Sequence, residues 1–360
     1  MIGLDDFSKI WAGPRALLVG ADPYDPATWS ATAVGLGTFL PDTPVYLYPP
    51  WVALLLVPLA AMPQAVAAVL WSAGGIAAAG VALRALLRSA LPGRPYAHAT
   101  VAVTLLLSGP GISALLSGQW SFLLIAAVTA IVLLLRAERP ISAGVASLAM
   151  LTKPQLFLYA APALALHALW PDRSGRALPW GRRYVLTAVA GGGALVAASQ
   201  LLMPGSGPTW LIQVGEDRLL PESVTIPGLL FRTLGEAGLV LAPVVLVLFV
   251  LLALRSHPRG EAWLPVWLSL TIAATPYSNP YDLLLLIVPL VLAAEALARA
   301  SPRRATLLFY AGSAILLVAA TALHAFALLA FAPLVPTAMF LLILAALWGR
   351  GGPAAAAASP

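Results

Sequence analysis

The sequence predicts an all-α, polytopic membrane protein folded as one helix bundle. Hydrophobic residues make up 61% of the chain and charged residues 9%, whereas a soluble domain has about 25% charged residues. Apolar segments close to the about 20 residues that a spanning helix needs recur along nearly the whole length. Alternating apolar and polar strand patterns are absent, and lipid demands a backbone that is hydrogen-bonded internally, so helices are expected rather than a barrel. The length of 360 residues suits a single bundle.

The chain divides into three parts. Residues 1–62 are predicted to lie outside the membrane, residues 63–348 to form the transmembrane bundle, and the Gly/Pro/Ala-rich tail 349–360 to be disordered. Within the first part, 5–19 has the apolar spacing of an amphipathic helix lying in the membrane interface. Ala-Asp-Pro-Tyr-Asp-Pro at 21–26 predicts a turn, and 49–62 a half-buried or re-entrant segment.

The bundle is expected to contain about eleven spans. Lys153-Pro154 splits one apolar stretch into a pair, because proline disfavours helix in the residue before it. The predicted spans are 64–88, 98–117, 119–136, 141–152, 155–169, 184–203, 236–255, 261–276, 281–298, 306–330 and 333–348.

Charge is distributed unequally between the two ends of these spans. Threading the spans alternately places fifteen of the twenty Lys/Arg on one side and ten of the fourteen acids on the other. The positive-inside rule makes the basic side cytoplasmic, so 1–62 is expected outside a plasma membrane. An outside N-terminus with no preceding apolar segment leads us to expect a further helix upstream.

Several function classes are disfavoured. The basic residues, which give a pI near 9.9, sit in short clusters between apolar segments, so topology explains them better than nucleic-acid binding. Cysteine is absent, which excludes thiolate chemistry. The histidines show no ligand spacing, so no metal or other cofactor is predicted: His98, His167, His257 and His324.

Most of the unusual polar residues fall on the predicted outer side. An outward cavity lined by carboxylates, a lysine and aromatic rings is the simplest arrangement that satisfies all of them, since a lysine at the centre of a span costs roughly 2.5–3.5 kcal/mol. The candidate site residues are Asp5, Asp6, Tyr24, Asp25, Tyr48, Gln119, Lys153, Arg218, Arg232, Asn279, Tyr281 and Asp282.

Each candidate also has a structural explanation. Asp5, Asp6 and Asp282 are placed where an N-cap would be, and Gln119 also lies at a helix end. Tyr24-Asp25 suits a turn, Lys153 suits a helix end from which its ammonium snorkels outward, and Arg218 and Arg232 suit a solvated loop.

An ordered set of short motifs resembles glycosyltransferase family 87, a group of bacterial membrane mannosyltransferases and relatives with the GT-C fold. Members of that family begin with a transmembrane helix before the Asp-Phe pair, which this chain lacks. The motifs are Asp6-Phe7, Gly20-Ala21-Asp22-Pro23-Tyr24-Asp25, Tyr48-Pro49-Pro50, Pro58-Leu59-Ala60, Gly118-Gln119, Ala143-Gly144, Lys153-Pro154-Gln155, Ser278-Asn279-Pro280-Tyr281-Asp282 and Pro289-Leu290.

The resemblance implies transfer of a hexose, with mannose the expected sugar, from a polyprenyl-phosphate donor to an extracytoplasmic lipid or glycan acceptor. It implies inversion at the anomeric carbon and no obligate metal. Asp6 matches the family's Asp-Phe pair and is the expected base, with Asp5 as its rival. For the donor phosphate we expect Lys153, Arg232 and Arg218. The sugar and acceptor pocket is assigned to Tyr24, Asp25, Tyr48, Gln119, Asn279, Tyr281 and Asp282.

Two other functions remain open. A transporter or lipid flippase commonly shows repeated halves and polar sites at the membrane midplane, whereas here the polar residues gather on one side and no repeat is evident. A non-catalytic membrane subunit of the same fold agrees with the absent first helix.

Overall fold

The structure, a computed structural model, describes residues 5–36, 45–169, 181–216, 223–255, 263–298, 300–325 and 331–348. These ranges contain nineteen α-helices and no strand. The first ten are α1 Asp5–Leu18, α2 Pro26–Gly35, α3 Pro50–Leu55, α4 Val57–Ala60, α5 Gln64–Ala90, α6 Pro95–Leu107, α7 Gly109–Ser117, α8 Ser121–Arg136, α9 Pro140–Ala146 and α10 Ala160–Leu169. The others are α11 Gly181–Leu202, α12 Ser206–Glu216, α13 Ile226–Leu234, α14 Glu236–Arg255, α15 Trp263–Ala274, α16 Ile287–Ala298, α17 Pro302–Ala314, α18 Ala320–Ala325 and α19 Leu334–Leu347.

The all-helical prediction is confirmed, and the break at Lys153 is present. Lys153 has φ −136° and ψ 70°, outside the helical region, because Pro154 crowds the backbone of the residue before it. On either side the chain forms short 3₁₀ helices, Ser147–Thr152 and Pro154–Phe157. A third 3₁₀ segment, Pro280–Leu286, leads into α16, and a π segment, Ile315–Ala319, joins α17 to α18.

The span count differs from the prediction. Five helices are long and apolar enough to cross a membrane, or six if the bent pair α6–α7 is one span, so about eleven spans are not confirmed. The bend of 54° in that pair occurs at Ser108, whose side chain caps α7 by accepting from the Gly111 amide at 3.1 Å. Other apolar helices, among them α8, α15 and α19, have only 10–17 residues, less than a straight span requires.

Burial separates the central span from the peripheral ones. In Pro280–Ala298, 83% of the most apolar window is buried inside the protein, against 6% in Gly181–Leu202. Leu and Val side chains of the peripheral helix, such as Val189 and Leu201, are exposed, as expected of a surface that meets lipid. The central span therefore holds its polar residues in the interior of the bundle.

The amphipathic helix α1 is fixed against the start of α5. Phe7, Ile10 and other residues of its apolar face are fully buried. Gln64 donates from Nε2 to Ser8 Oγ at 2.7 Å, and the Trp11 indole donates to the Met62 carbonyl at 3.2 Å. These bonds hold α1 at one end of α5.

The predicted tail 349–360 lies outside the described residues.

Three helices were not predicted, namely α2, α12 and α13. Asp25 caps α2, and Thr225 caps α13 by accepting from the Gly228 amide at 3.4 Å. In both helices a proline follows the cap within two residues, where its fixed φ favours the first turn.

Candidate active site

The Asp6 carboxylate is half-exposed in the first turn of α1. Its side chain is 27% accessible, and Lys9 Nζ lies 3.7 Å from Oδ1, one helical turn further on. Its negative charge contributes to the raised pKa of Tyr48, which comes from a distant part of the chain. Asp6 is thus a half-exposed carboxylate whose charge acts on the Tyr48 phenol. Its rival Asp5 is the first residue of α1.

Tyr48 is held in place through its backbone and by its neighbouring rings. The Tyr24 hydroxyl donates to the Tyr48 carbonyl at 2.8 Å, and the Tyr46 and Tyr48 rings pack with centroids 5.4 Å apart. Burial raises the pKa of Tyr48 well above its ordinary value, and the negative charge of Asp6 raises it further, while Gln119 and Trp120 act in the opposite direction. Tyr48 therefore stays a neutral phenol, able to donate a hydrogen bond.

The turn after α7 places polar groups beside Tyr48. Gly118 ends α7 in the left-handed conformation, φ 67°, which glycine adopts without strain. Gln119 Oε1 and Ser121 Oγ are buried and lack a hydrogen-bond partner within the described part of the chain. Buried polar atoms in native proteins are nearly always hydrogen-bonded, so these two acceptors are suited to a ligand rich in hydroxyl groups.

Lys153 and Asp282 form a buried ion pair. Lys153 Nζ lies 2.9 Å from Asp282 Oδ1, and the side chains are 7% and 2% accessible. The second carboxylate oxygen accepts from the Asn279 amide at 3.0 Å, and the ammonium sits 4.6 Å above the centre of the Tyr281 ring. Asp282 is therefore both a helix-capping group, as one alternative predicted, and the counter-ion of Lys153.

The loop before α16 organises the remaining predicted residues. Asn279 donates through Nδ2 to the hydroxyls of Tyr277 and Tyr281. The Ser278 backbone pairs with Val224 and with Ser223 Oγ. Arg232 donates to the Ser223 carbonyl at 3.0 Å, and burial lowers the pKa of its guanidinium, which nevertheless stays a cation. The loop thus links Arg232 to the Asn279–Asp282 segment.

Two predicted pocket residues have structural roles. The Asp25 carboxylate accepts from the Ala27 and Thr28 amides at 3.4 and 3.2 Å. Its hydrogen bonds with Thr28 lower its pKa. Tyr24 is buried and supports the Tyr48 backbone. The structural explanation, a turn at Tyr24-Asp25, thus accounts for the contacts of both residues. The predicted phosphate ligand Arg218 lies outside the described residues.

Two aromatic residues of the site were missed in the sequence. Trp71 and Trp120 meet edge to face with centroids 4.6 Å apart. The Trp71 indole donates to the Gly118 carbonyl at 2.9 Å, and the Trp71 ring lies 6.1 Å from that of Phe7. Trp71 could have been singled out from the sequence, because it is a single large aromatic residue within an alanine-rich helix.

The described residues contain no group of three or more His, Cys, Asp or Glu side chains placed to hold a metal ion. The two acidic groups of the site differ in their environment. Asp6 is accessible, whereas Asp282 is buried in an ion pair.

Comparison with known proteins gives one match. The sequence model of glycosyltransferase family 87 matches residues 46–276, nearly two thirds of the chain. The matched range includes Tyr48, Gln119, Lys153 and Arg232, while Asp6 and Asp282 lie outside it. Neither a curated protein nor a solved structure matches the chain. With several apolar helices of spanning length and this match, the chain belongs to glycosyltransferase family 87.

Proposed function

We propose that this protein is an inverting membrane glycosyltransferase that uses a polyprenyl-phosphate hexose, with mannose the expected sugar. The acceptor is a lipid or glycan on the extracytoplasmic side of the plasma membrane. The observation that carries the proposal is the half-exposed Asp6 carboxylate in the first turn of α1, whose negative charge acts on the Tyr48 phenol. A transferase that inverts in one displacement needs one such base.

The proposed step is a single displacement. The acceptor hydroxyl oxygen attacks the anomeric carbon as its proton passes to the Asp6 carboxylate, and the bond from that carbon to the phosphate oxygen breaks. Polyprenyl phosphate leaves with the bonding electron pair. Phosphate is a good leaving group whose charge is met by cationic or polar donors, so no second carboxylic acid is needed to protonate it.

The proposed sugar pocket is formed by the residues that surround Tyr48. The unpartnered Gln119 Oε1 and Ser121 Oγ are acceptors for sugar hydroxyls, and the Tyr48 hydroxyl is a donor. The flat rings of Trp71 and Trp120 lie beside them. Asn279 and Tyr281, bonded to each other, complete the polar lining.

The role proposed for Lys153 at the donor phosphate takes account of its ion pair with Asp282. Its ammonium has three donors, of which one is given to Asp282, so it contributes hydrogen bonds to the donor phosphate with its charge already balanced. Arg232 lies beside the same loop, where it donates to the Ser223 carbonyl, and is a second candidate for the phosphate. Arg218 remains a further candidate from the sequence.

The proposed side of the membrane rests on charge. In the threading of the predicted spans, most Lys/Arg fall on the side opposite residues 1–62, which supports an extracytoplasmic site by the positive-inside rule.

The deciding experiment is a transfer assay with the purified chain in liposomes. Radiolabelled polyprenyl-phosphate-mannose and, separately, polyprenyl-phosphate-glucose are supplied with a membrane lipid extract as acceptor. We expect label from the mannose donor in a new glycolipid or glycan, with the opposite anomeric configuration to the donor. Movement of the donor across the bilayer without transfer would instead establish a flippase, and the absence of both activities a non-catalytic subunit.

A further inference from the structure

A second site-like feature lies at the other end of α5. It is a groove of about 570 Å³ between the last turns of α5 and the first turns of α6. Gln64, at the start of α5, is bonded to α1 beside Asp6, whereas Arg88 lies 24 residues further on, which is about 36 Å along a helix. A bilayer hydrocarbon core is about 30 Å thick, so the groove and the candidate active site are at opposite membrane faces.

The groove has apolar walls. Leu83 and Leu87 line it from α5, and Val101 and Leu105 from α6. The spacing of four on each helix turns both pairs toward the same space. Nearby Val81 is 72% exposed on α5, so the helix beside the groove presents apolar surface to lipid. A chain of methylene groups fits these walls better than a water-soluble molecule does.

The end of the groove is basic. Arg84, Arg88 and His98 line it, both arginines are exposed, and none of the three has a hydrogen bond or ion pair with the described part of the chain. Two other arginines of the bundle, by contrast, have partners. Arg94 donates to Thr306 and to the Pro302 carbonyl, and Arg136 to Glu295. Two unpaired guanidinium groups at the mouth of an apolar groove match a phosphate group attached to a hydrocarbon chain.

We propose that this groove binds an anionic phospholipid, a function separate from glycosyl transfer. The phosphodiester contacts Arg84, Arg88 and His98, and one acyl chain lies between the leucines of α5 and the apolar face of α6. Basic pockets between transmembrane helices on the cytoplasmic side are suited to such head groups.

Binding is tested by native mass spectrometry of the full chain, titrated in detergent with phosphatidylglycerol or phosphatidylcholine. We expect preferential binding of phosphatidylglycerol, and we expect the double variant R84A/R88A to weaken it about 25-fold, because each basic residue contributes about fivefold near an anionic lipid. The matched control is R303A/R304A, which removes two exposed arginines near the contact of Arg94 with α17 but outside the groove. Equal losses in the two double variants would overturn the proposal.

A second pair of variants tests the acyl chain without changing charge. Gly80 lines the groove, and a Cβ built on it meets no atom within 4 Å, so Gly80→Leu is used to place a larger side chain in the groove. We expect binding of phosphatidylglycerol to fall more than about tenfold, because each buried methylene strengthens lipid binding. Gly74→Leu is the control, since Gly74 is equally uncrowded on the same helix.

Unchanged binding in Gly80→Leu would show that no chain lies in the groove and would contradict the proposal. Inorganic phosphate is added at the same concentration as the lipid. Displacement of phosphatidylglycerol by it would assign the basic end to a free anion instead of a lipid.

Discussion

Two lysine–carboxylate pairs in this protein differ in almost every physical respect. Asp6 and Lys9 are one turn apart on α1, 3.7 Å from each other and each 27% accessible. Lys153 and Asp282 are 129 residues apart in the chain, 2.9 Å from each other and almost fully buried. A partly exposed pair of this kind contributes about 0–1 kcal/mol, so Lys9 holds the Asp6 carboxylate only weakly. The buried pair is a fixed part of the bundle, because separating its charges leaves one of them unpaired in the interior.

The largest effect is expected from Asp6→Asn. The amide keeps the shape but cannot take a proton, so transfer is expected to fall about 100- to 10,000-fold. The fold is expected to survive, because Asp6 pairs only with a half-exposed lysine of its own helix. Turnover of labelled donor and thermal unfolding are measured on the same sample.

Asp5→Asn is the matched control, because one residue along a helix turns the side chain by about 100°. Full transfer by Asp6→Asn would remove Asp6 as the base, and loss in Asp5→Asn alone would reassign the role to its neighbour.

Asp282→Ala is expected to have the next largest effect, on stability. It leaves the Lys153 ammonium buried without its counter-ion, at a cost of about 3–5 kcal/mol. The measurement is the unfolding temperature in detergent. The double variant Lys153→Met with Asp282→Leu removes both charges and should recover most of the loss. If the double variant is as unstable as Asp282→Ala, the bundle needs both charged groups themselves.

Gly13→Ala probes how firmly α1 holds Asp6. A Cβ at Gly13 falls 2.4 Å from the Tyr46 ring, which is enclosed by Tyr24, Trp29 and Tyr48 and has nowhere to move. Such overpacking costs about 1–3 kcal/mol, and α1 must shift. We expect lower transfer with the Lys153 pair intact. Gly35→Ala is the control, since Gly35 is uncrowded, and equal activity in both variants would show that α1 tolerates displacement.

Lys9→Ala is expected to have the smallest effect. Removing a half-exposed partner at 3.7 Å changes stability by less than about 1 kcal/mol, and transfer should stay within a few-fold of the unaltered protein. The assay is the one used for Asp6→Asn. A loss comparable with that of Asp6→Asn would show that Lys9 sets the charge state of the base, contrary to the contrast between the pairs.

The sequence predicted local features well and long-range ones poorly. The break at Lys153 follows from its neighbour Pro154, and the turn at Asp25 follows from adjacent residues, so both were accessible from the sequence. The bond between Lys153 and Asp282 joins segments 129 residues apart, and hydropathy carries no information on that pairing. The predicted number of spans is not confirmed for a related reason, because hydropathy marks short apolar helices such as α15 as readily as helices long enough to cross a membrane.

The buried Lys153–Asp282 pair has a consequence for how the protein is made. Ribosomes extend a chain by about 5–20 residues per second, so Asp282, 129 residues further on, is synthesised roughly 6–26 seconds after Lys153. During that interval the lysine has been delivered to the membrane without its counter-ion. Insertion of the first half of the chain must therefore leave Lys153 in contact with water or with the insertion machinery, and assembly of the bundle is completed only when the central span arrives.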